Sequence, residues 1–312
     1  MFQRQFFLVS AVLFFMAVIV TAGNVDGDIN KRFNVRPGGT LTIETDIGSI
    51  QVESGNGNAV VIEVLFTPRN TSTSKMKTLL EDFEISFNQS GSDVEVRAEY
   101  DRRARNLWRS FGKYVRVAFK VRVPARYNAD LKTSGGSISV DDLEGEVKSR
   151  TSGGSLDFGA IEGTVYGRTS GGSISVDRCT GSVDVNTSGG GITVGKVKGN
   201  VKANTSGGTI RIDEVQGSVA AATSGGSVSA AISEQPEQDC SLKTSGGSIT
   251  VYLPENVNLN LDAATSGGSV STDFPVTVKG VLSKRALKAK INEGGPELYL
   301  RTSGGSIYIK ER

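Results

Sequence analysis

Residues 133–150 read TSGGSISVDDLEGEVKSR, and the chain then starts the same pattern again with TSGGSLDF at residues 151–158. The tetrapeptide TSGG occurs nine times. The first six copies start 18 residues apart, the next two follow at intervals of 21, and the last follows after 37. A short, constant period of this kind is the signature of a repeat architecture. The nine copies start at Thr133, Thr151, Thr169, Thr187, Thr205, Thr223, Thr244, Thr265 and Thr302.

The apolar residues of each unit follow a second, shorter period. With the Thr of TSGG as position 0, position 5 is Ile, Leu or Val in all nine units. Alternation of apolar and polar residues around positions 4–7 and 13–16 predicts two short strands per unit. Equivalent strands of successive units can stack at ~4.8 Å into parallel sheets around an apolar interior. The sequence therefore predicts an all-β fold, a parallel β-helix or β-solenoid with 18-residue coils.

Two sets of residues are predicted to determine this form. The Gly-Gly pair of each unit is expected at a corner, because glycine adopts the positive φ angles that tight corners need. The aliphatic residue at position 5 is expected to fill a narrow core, where a buried unpaired charge would be severely destabilising. The residues singled out are Gly135, Gly136, Gly153, Gly154, Gly171, Gly172, Ile138, Ile174, Ile192 and Ile210.

The rest of the chain has a different pattern. Arg4 precedes an apolar run and the small residues Val20-Thr21-Ala22, as in a cleavable signal peptide; an uncleaved membrane anchor is the alternative. A degenerate coil follows, with Thr45 at position 0, and Thr73–Phe83 is predicted to be a short helix. The predicted organisation is a signal peptide (1–22), a first solenoid coil (23–64), a strand-rich insertion with a basic hairpin (65–127) and the TSGG-repeat solenoid (128–312).

The repeated TSGGSI, the Val-Asp turn behind it and the segment PGGTLTIET at residues 37–45 resemble the bacterial "putative adhesin" family. The resemblance covers residues 33–310. It implies an exported or envelope-located β-solenoid of unknown biochemical function, and it implies no particular ligand.

The composition excludes several kinds of chemistry. The chain has no histidine, so Ser-His-Asp and Cys-His nucleophiles and His-ligated zinc are absent. No Gly-rich stretch has the spacing of a phosphate-binding loop or a dinucleotide fingerprint. We predict no cofactor and no metal ion. The 35 Lys and Arg residues nearly balance 33 Asp and Glu residues, so overall charge gives no reason to expect nucleic acid as a partner.

One segment departs from this charge balance. Residues 97–126 hold ten Lys or Arg residues against two acidic ones. Valine and phenylalanine alternate with cations in residues 115–123, which predicts a strand with an apolar inner and a cationic outer face. We predict that the loop before this strand binds an anionic surface, either lipid headgroups or acidic envelope polymer; an ordinary solvated hairpin is the alternative. The proposed binding residues are Arg102, Arg103, Arg105, Trp108, Arg109 and Lys113.

Two further patterns leave alternatives open. Asp141, Asp177 and Asp213 recur at position 8 of every second coil, hence ~9.6 Å apart, near the upper end of the carboxylate separation in inverting glycosidases. The alternative is that they end strands and begin turns. Outward serines and threonines at positions 4 and 6 form a polar face that either binds glycan or protein, or only stacks along the sheets and keeps them soluble.

The two cysteines test the predicted stacking. Cys179 and Cys240 both fall at inward positions, about three coils apart. Their sulfur atoms are then on the order of 15 Å from each other, beyond the reach of a disulfide. We predict two buried free thiols.

The sequence therefore favours a non-enzymatic, exported β-solenoid that acts as an adhesin or an envelope interaction or structural protein. A carbohydrate-active β-helix enzyme using paired Asp residues is the alternative. The expected partners are an envelope glycan, an anionic lipid or another protein, and the expected location is the periplasm, cell surface or exterior. Residues 302–312 are expected to form the terminal coil, whose uncovered edge would allow self-association.

Overall fold

The 18-residue period is one circuit of the chain around the fold. Strand Leu156–Glu162 pairs in parallel with Ile174–Cys179, its equivalent one unit later, and Leu156 lies directly opposite Ile174. The same register continues to Ile192 and Ile210. These contacts come from a computed structural model, which describes residues 16–21, 28–100, 112–278 and 283–312. The predicted β-solenoid is confirmed.

Twenty-nine strands and one helix make up the described chain. In chain order they are β1 (Met16–Thr21), β2 (Ile29–Asn34), β3 (Thr40–Thr45), β4 (Ser49–Gly55), β5 (Ala59–Pro68), α1 (Thr73–Leu80), β6 (Phe83–Ser90), β7 (Asp93–Tyr100), β8 (Val115–Pro124), β9 (Asn128–Thr133), β10 (Ile138–Val140), β11 (Leu143–Glu144), β12 (Val147–Thr151), β13 (Leu156–Glu162), β14 (Val165–Arg168), β15 (Ile174–Cys179), β16 (Val183–Asn186), β17 (Ile192–Val197), β18 (Val201–Asn204), β19 (Ile210–Val215), β20 (Val219–Ala222), β21 (Val228–Ile232), β22 (Cys240–Lys243), β23 (Ile249–Leu253), β24 (Leu259–Thr265), β25 (Val270–Thr272), β26 (Val276–Val278), β27 (Ala286–Ile291), β28 (Glu297–Thr302) and β29 (Ile307–Glu311).

The strands form two long sheets. Sheet A contains the strands that lead into each TSGG, in the spatial order β1-β6-β7-β3-β9-β12-β14-β16-β18-β20-β22-β28-β24-β27-β26. Sheet B contains the strands that follow it, in the order β2-β5-β8-β4-β10-β13-β15-β17-β19-β21-β23-β29-β25, with β11 beside β13. We call one A strand and the next B strand a layer, and name the layer by its threonine.

One continuous apolar core lies between the sheets and extends from Ile29 to Ile309. The position 5 side chains Ile138, Ile174, Ile192 and Ile210 are at most 1% exposed. The inward and outward alternation expected from the sequence therefore holds through the repeats.

The glycines of TSGG are required for a different reason from the one expected. Positive φ angles among the described glycines occur at Gly38, Gly48, Gly91, Gly145 and Gly294, and none of these belongs to a TSGG motif. The second glycine of the pair is instead in close contact with the neighbouring layer: a Cβ on Gly154 would lie 2.1 Å from the carbonyl oxygen of Gly136. The first glycine is less constrained: a Cβ on Gly135 or Gly153 would meet nothing within 4 Å, whereas in the other seven units it would lie 2.7–3.2 Å from a carbonyl oxygen of the neighbouring layer.

The threonine of TSGG hydrogen-bonds the same glycine column. The Thr187 hydroxyl donates to the carbonyl oxygen of Gly172 in the preceding layer at 2.8 Å, and all nine repeat threonines make the equivalent bond. Each of these threonines is buried. The polar corner is thus a continuous ladder of hydroxyl-to-carbonyl bonds, which satisfies acceptors that the strands do not reach.

The last unit does not lie at the end of the stack. Strand β28 lies between β22 and β24, and β29 lies between β23 and β25, so the Thr302 layer is inserted between the Thr244 and Thr265 layers. The expectation of an uncovered terminal edge at residues 302–312 is therefore wrong. The stack beyond this point ends in the Thr265 layer, and on sheet A in the antiparallel strands β27 and β26.

The opposite end is also closed by antiparallel strands. The Thr45 layer, formed by the degenerate coil, stacks directly on the Thr133 layer, although the two are separated by residues 65–127 in the chain. Strands β7 and β8 pair with its far side, and antiparallel β6 and β5 follow. Helix α1 begins after Ser72, whose side chain accepts a hydrogen bond from the Lys75 amide at 3.3 Å.

Most of the predicted signal peptide lies outside the described residues. Its described part, Met16–Thr21, is a strand antiparallel to β6. No helix in the described part of the chain has the length and hydropathy of a membrane span.

Candidate functional site

The basic loop predicted to bind an anionic surface lies largely beyond the described residues. Arg102, Arg103, Arg105, Trp108 and Arg109 all fall in residues 101–111. Lys113 is described and is exposed. The binding role of the loop stays a prediction.

The strand that follows the loop has the expected inner and outer faces, but two of its three outward cations lie beside carboxylates. Arg116, Lys120 and Arg122 of β8 are exposed while the alternate residues are buried. Glu53 on the neighbouring strand β4 lies 3.7 Å from the Arg122 guanidinium, and Glu63 on β5 lies opposite Lys120. Glu53 and Glu63 lie outside residues 97–126. A charge count within that segment alone therefore overstates the positive potential of this face.

The position 8 aspartates stand apart from one another on exposed corners. Asp213 pairs with Arg211 of its own strand at 2.6 Å. Burial, together with the charges of Glu53 and Asp142, raises the pKa of Asp141. Asp177 is exposed and lies on another layer. Within the described residues no three Asp, Glu or Cys side chains converge as metal ligands would.

The outward serines at position 4 already have structural partners. The Ser137 hydroxyl accepts a hydrogen bond from the Ser155 amide of the next layer at 3.2 Å, and Ser155 accepts one from Ser173 at 3.3 Å. The same bond recurs at Ser227, Ser248 and Ser306. These contacts favour the structural interpretation of this row over a ligand-binding one.

Both cysteines are buried and free, as the sequence predicts. Burial raises the pKa of the Cys179 thiol and of the Cys240 thiol. Neither is poised as a thiolate nucleophile.

A cleft on the outer face of sheet A is the candidate site that combines charged side chains with an exposed aromatic ring. It crosses three consecutive strands, β9, β12 and β14, and its volume is about 290 Å³, near the lower end of the ligand-site range. An exposed tyrosine, Tyr166, stands among charged side chains. The residues that line it are Asp130, Lys132, Lys148, Ser149, Arg150, Tyr166 and Arg168.

Three of the four cations in this cleft are engaged with carboxylates. Lys132 reaches Glu44 on β3, and Lys148 reaches Glu146 at the start of its own strand. Arg168 reaches Asp184 on β16 at 2.8 Å. None of these three carboxylates lines the cleft, so each of the three cations is paired at the edge of the cleft and not at its centre.

Arg150 is the exception. It is exposed and lies in register between Lys132 on β9 and Arg168 on β14. No carboxylate of the described chain lies within ion-pair distance of it. Like charges on directly opposed strand positions destabilise a sheet, so Arg150 occupies a position that stability alone does not favour.

Sequence reasoning missed this cleft, although a signal was present. The residue immediately before TSGG is a cation in three successive units: Lys132, Arg150 and Arg168. In a stack with an 18-residue circuit these positions are neighbours, and column-by-column inspection of the outward positions would have found them.

The fold defines the chain as a two-sheet β-solenoid whose parallel layers are flanked by antiparallel strands on both sheets at one end and on sheet A at the other. It belongs to the Toastrack family DUF4097, whose model matches residues 31–310, and this confirms the resemblance drawn from the TSGG units. No curated protein matches the chain.

Several solved structures are similar to it. One is a "putative lipid binding protein" from Parabacteroides distasonis, with 14% identity, a TM-score of 0.47, and 92% of this chain and 97% of that one covered. Another is a "putative adhesin" from Bacteroides fragilis, with 11% identity, a TM-score of 0.43, and coverage of 91% and 98%. A third is a "putative cell adhesion protein" from Clostridium sporogenes, with 13% identity, a TM-score of 0.27, and coverage of 91% and 100%.

Proposed function

We propose that this protein is an exported, non-enzymatic β-solenoid that binds polymers of the cell envelope through the outer faces of its sheets. The observation that carries the proposal is the cleft on sheet A, where an exposed Tyr166 and an unpaired Arg150 stand on a rigid, laterally repeated surface. Tyrosine and arginine are the residue types that most often dominate binding energy at protein surfaces.

Binding without chemistry is supported by the dispersal of the acidic groups. Asp213 is paired with Arg211, and the Asp142 side chain accepts a hydrogen bond from the Ala160 amide at 2.8 Å. A glycosidase needs two carboxyl groups that face one substrate bond. Asp141, with its raised pKa, supports the enzymatic alternative best, but the two carboxylates that contribute to this shift have other partners: Glu53 lies 3.7 Å from the Arg122 guanidinium, and Asp142 accepts the bond from Ala160.

The test is an array of acidic polysaccharides, neutral polysaccharides and anionic lipid vesicles, incubated with the full chain and analysed for both retention and cleavage. We expect retention of a polymer whose chain length does not change. Release of shorter chains, abolished by Asp141→Asn, would establish the enzymatic alternative. Absence of retention on every surface would refute the proposed function.

The basic loop is a second element of this proposal. Replacing Arg102, Arg103 and Arg105 by Ser should weaken binding to anionic vesicles or to acidic polymer, since it removes three positive charges from one short segment. Binding that is unchanged in this variant would remove the loop from the proposal and leave the cleft on sheet A.

Export is proposed from the predicted signal peptide. We expect the mature chain to begin at Gly23 and to be recovered from the periplasm, the cell surface or the medium. N-terminal sequencing of the fractionated protein measures this, and an intact Met1 in the cytoplasmic fraction would contradict it.

A further inference from the structure

The cleft on sheet A has a near copy elsewhere on the same face, and the two differ in one respect. The sequence YGRTSGGS at residues 166–173 recurs as YLRTSGGS at residues 299–306. Tyr166 on β14 and Tyr299 on β28 occupy the same outward column, five strands apart, a separation of ~24 Å at ~4.8 Å per strand.

The surroundings of the two tyrosines match closely. Arg168 contacts the Asp184 carboxylate at 2.8 Å and the Asp184 carbonyl oxygen at 2.9 Å. Arg301 contacts the Asp262 carboxylate at 2.8 Å and its carbonyl oxygen at 2.7 Å. The tyrosine-arginine-aspartate arrangement is therefore a local structure that the fold supports twice, and it needs no ligand to explain it.

The difference lies in what covers the ring. At Tyr299 the Arg301 guanidinium lies 3.9 Å from the ring centroid and the Lys243 ammonium 4.9 Å from it. At Tyr166 the nearest cation described is Lys148, at 5.8 Å. Tyr166 is 38% exposed, whereas Tyr299 is half-buried among its cations. Two cations of the protein lie close to the Tyr299 ring, whereas among the described residues the Tyr166 ring has one, the more distant Lys148.

The Tyr166 ring lies beside Arg150, the cation of the cleft that has no carboxylate partner in the described chain. On the adjacent strands β12 and β14, Arg150 lies opposite Arg168 and Lys148 lies opposite Tyr166. Arg150 and Tyr166 are therefore diagonal neighbours. Asp130, exposed on β9, adds a hydrogen-bond acceptor on the far side of Lys148. The cleft thus offers a cation without a carboxylate partner, an aromatic face and a hydrogen-bond acceptor within about 290 Å³.

We propose that this cleft binds one carboxylated sugar of an acidic polysaccharide, with the sugar carboxylate on Arg150, the ring against Tyr166 and a hydroxyl donating to Asp130. A guanidinium is suited to a planar carboxylate, since it can donate two parallel hydrogen bonds. The negative face of an aromatic ring attracts the weakly positive C–H groups of a sugar. This inference rests on the proposed function and names the polymer class for it.

The chemistry of the cleft favours this ligand over other anions. A phosphatidate headgroup or a glutamate side chain would use Arg150 but has no ring hydroxyl for Asp130 and no sugar ring for Tyr166. A neutral sugar would use Tyr166 and Asp130 but would leave Arg150 without its anion. Of these ligands and a carboxylated sugar, only the carboxylated sugar uses all three contacts.

The test compares oligogalacturonate with three control probes: a neutral glucan oligomer of the same length, polyglutamate of the same charge, and anionic phospholipid vesicles. Calorimetry with the full chain should show binding to oligogalacturonate that is at least tenfold stronger than binding to any control probe. Arg150→Ser and Tyr166→Ala should each weaken it by tenfold or more. Tyr299→Ala is the matched control, and should leave it unchanged.

A second readout separates binding from folding. Because Arg150 stands between two cations, Arg150→Ser should keep or raise the melting temperature while it lowers affinity. A structural role for Arg150 would lower the melting temperature instead.

The outcomes distinguish this inference from the proposed function. If oligogalacturonate binds and neither Arg150→Ser nor Tyr166→Ala weakens it, the inference is wrong and the proposed function stands. If vesicles or polyglutamate bind as tightly as oligogalacturonate, the assignment to an acidic sugar is wrong. If no polymer or vesicle binds at all, both fail together.

Discussion

At the scale of single residues, the threonine and the second glycine of the Thr-Ser-Gly-Gly motif have separate structural roles. The threonine donates to the layer before it, and the second glycine allows that layer to approach. The glycines were expected to be needed for their φ angles, and the structure instead assigns most of the requirement to contact between layers. The sequence shows that glycine is repeated, but the clash that excludes a side chain exists only once the layers are stacked.

The two glycines of one motif should therefore respond differently to the same change. Gly154→Ala should cost about 3 kcal/mol of unfolding free energy, since its Cβ would lie 2.1 Å from the Gly136 carbonyl oxygen in a stack that cannot separate locally. Gly153→Ala, with nothing within 4 Å, should change stability by at most about 0.5 kcal/mol. Chemical denaturation followed by circular dichroism measures both. Equal losses of unfolding free energy in the two variants would show that backbone conformation, and not contact between layers, is the reason for the Gly-Gly pair.

The threonine ladder makes a second residue-level prediction. Thr187→Val keeps the shape of the side chain but leaves the Gly172 carbonyl oxygen without its donor, which should cost about 1–3 kcal/mol. Thr193→Val, on the exposed outer face of the same coil, is the matched control and should change stability by less than about 0.5 kcal/mol. If Thr187→Val and Thr193→Val have the same melting curve, the result would contradict a structural role for the threonine ladder.

At the scale of elements, the strands compensate for one another across the core. The Thr151 layer carries Phe158 where the next layer has Val176 in register. Opposite Phe158 on sheet A lies Gly167 of the Thr169 layer, where the following Thr187 layer has Val185 in register. A Cβ on Gly167 would lie 3.3 Å from the Phe158 ring. A large residue on sheet B is thus matched by a missing side chain on sheet A.

This compensation predicts strong coupling between the two positions. Phe158→Val alone should leave a cavity and cost about 2 kcal/mol, and Gly167→Val alone should overpack the core and cost about 1–3 kcal/mol. The double variant restores the valine pair of the next coil, so it should be more stable than the sum of the single changes predicts, by about 1–3 kcal/mol. A double-mutant cycle of unfolding free energies measures this coupling, and strictly additive losses would contradict it.

Much of the element-level structure was accessible from the sequence. The two strands per unit, the helix after Ser72 and the degenerate coil at Thr45 all follow from period and capping. The cleft on sheet A was not found, because Lys132, Arg150 and Arg168 lie 18 residues apart in the chain and become neighbours only through the stack. The basic segment 97–126, in contrast, is evident in the sequence because its positive charges are close together in the chain. Its acidic partners are not, since they lie on strands β4 and β5.

At the scale of the whole molecule, the order of the layers differs from the order of the chain. The units are so similar that any layer could stack on any other, and the sequence gives no signal that the last one is inserted before the Thr265 layer. The hairpin of β26 and β27, which covers the far side of β24, leaves only the other side of β24 open to β28.

Engineered disulfides can test this order directly. Thr250 and Tyr308 lie opposite each other on adjacent parallel strands, within the Cα separation that a disulfide requires. Thr250→Cys with Tyr308→Cys should therefore form a cross-link under oxidising conditions. Thr250→Cys with Ser271→Cys is the control: these positions are two layers apart, ~9.6 Å, and should remain reduced. Non-reducing mass spectrometry that finds the opposite result would place the layers in chain order.

The inserted Thr302 layer has a consequence for how the chain matures. Layers up to Thr244 can join the stack one after another as the polypeptide emerges, since each pairs with a neighbour already in place. The Thr265 layer cannot, because strands β28 and β29, which join it to the stack, follow it in the chain. The side of the Thr244 layer that faces β28 and β29 therefore stays unpaired until residues 297–311 have been synthesised, and these residues then complete both sheets at once.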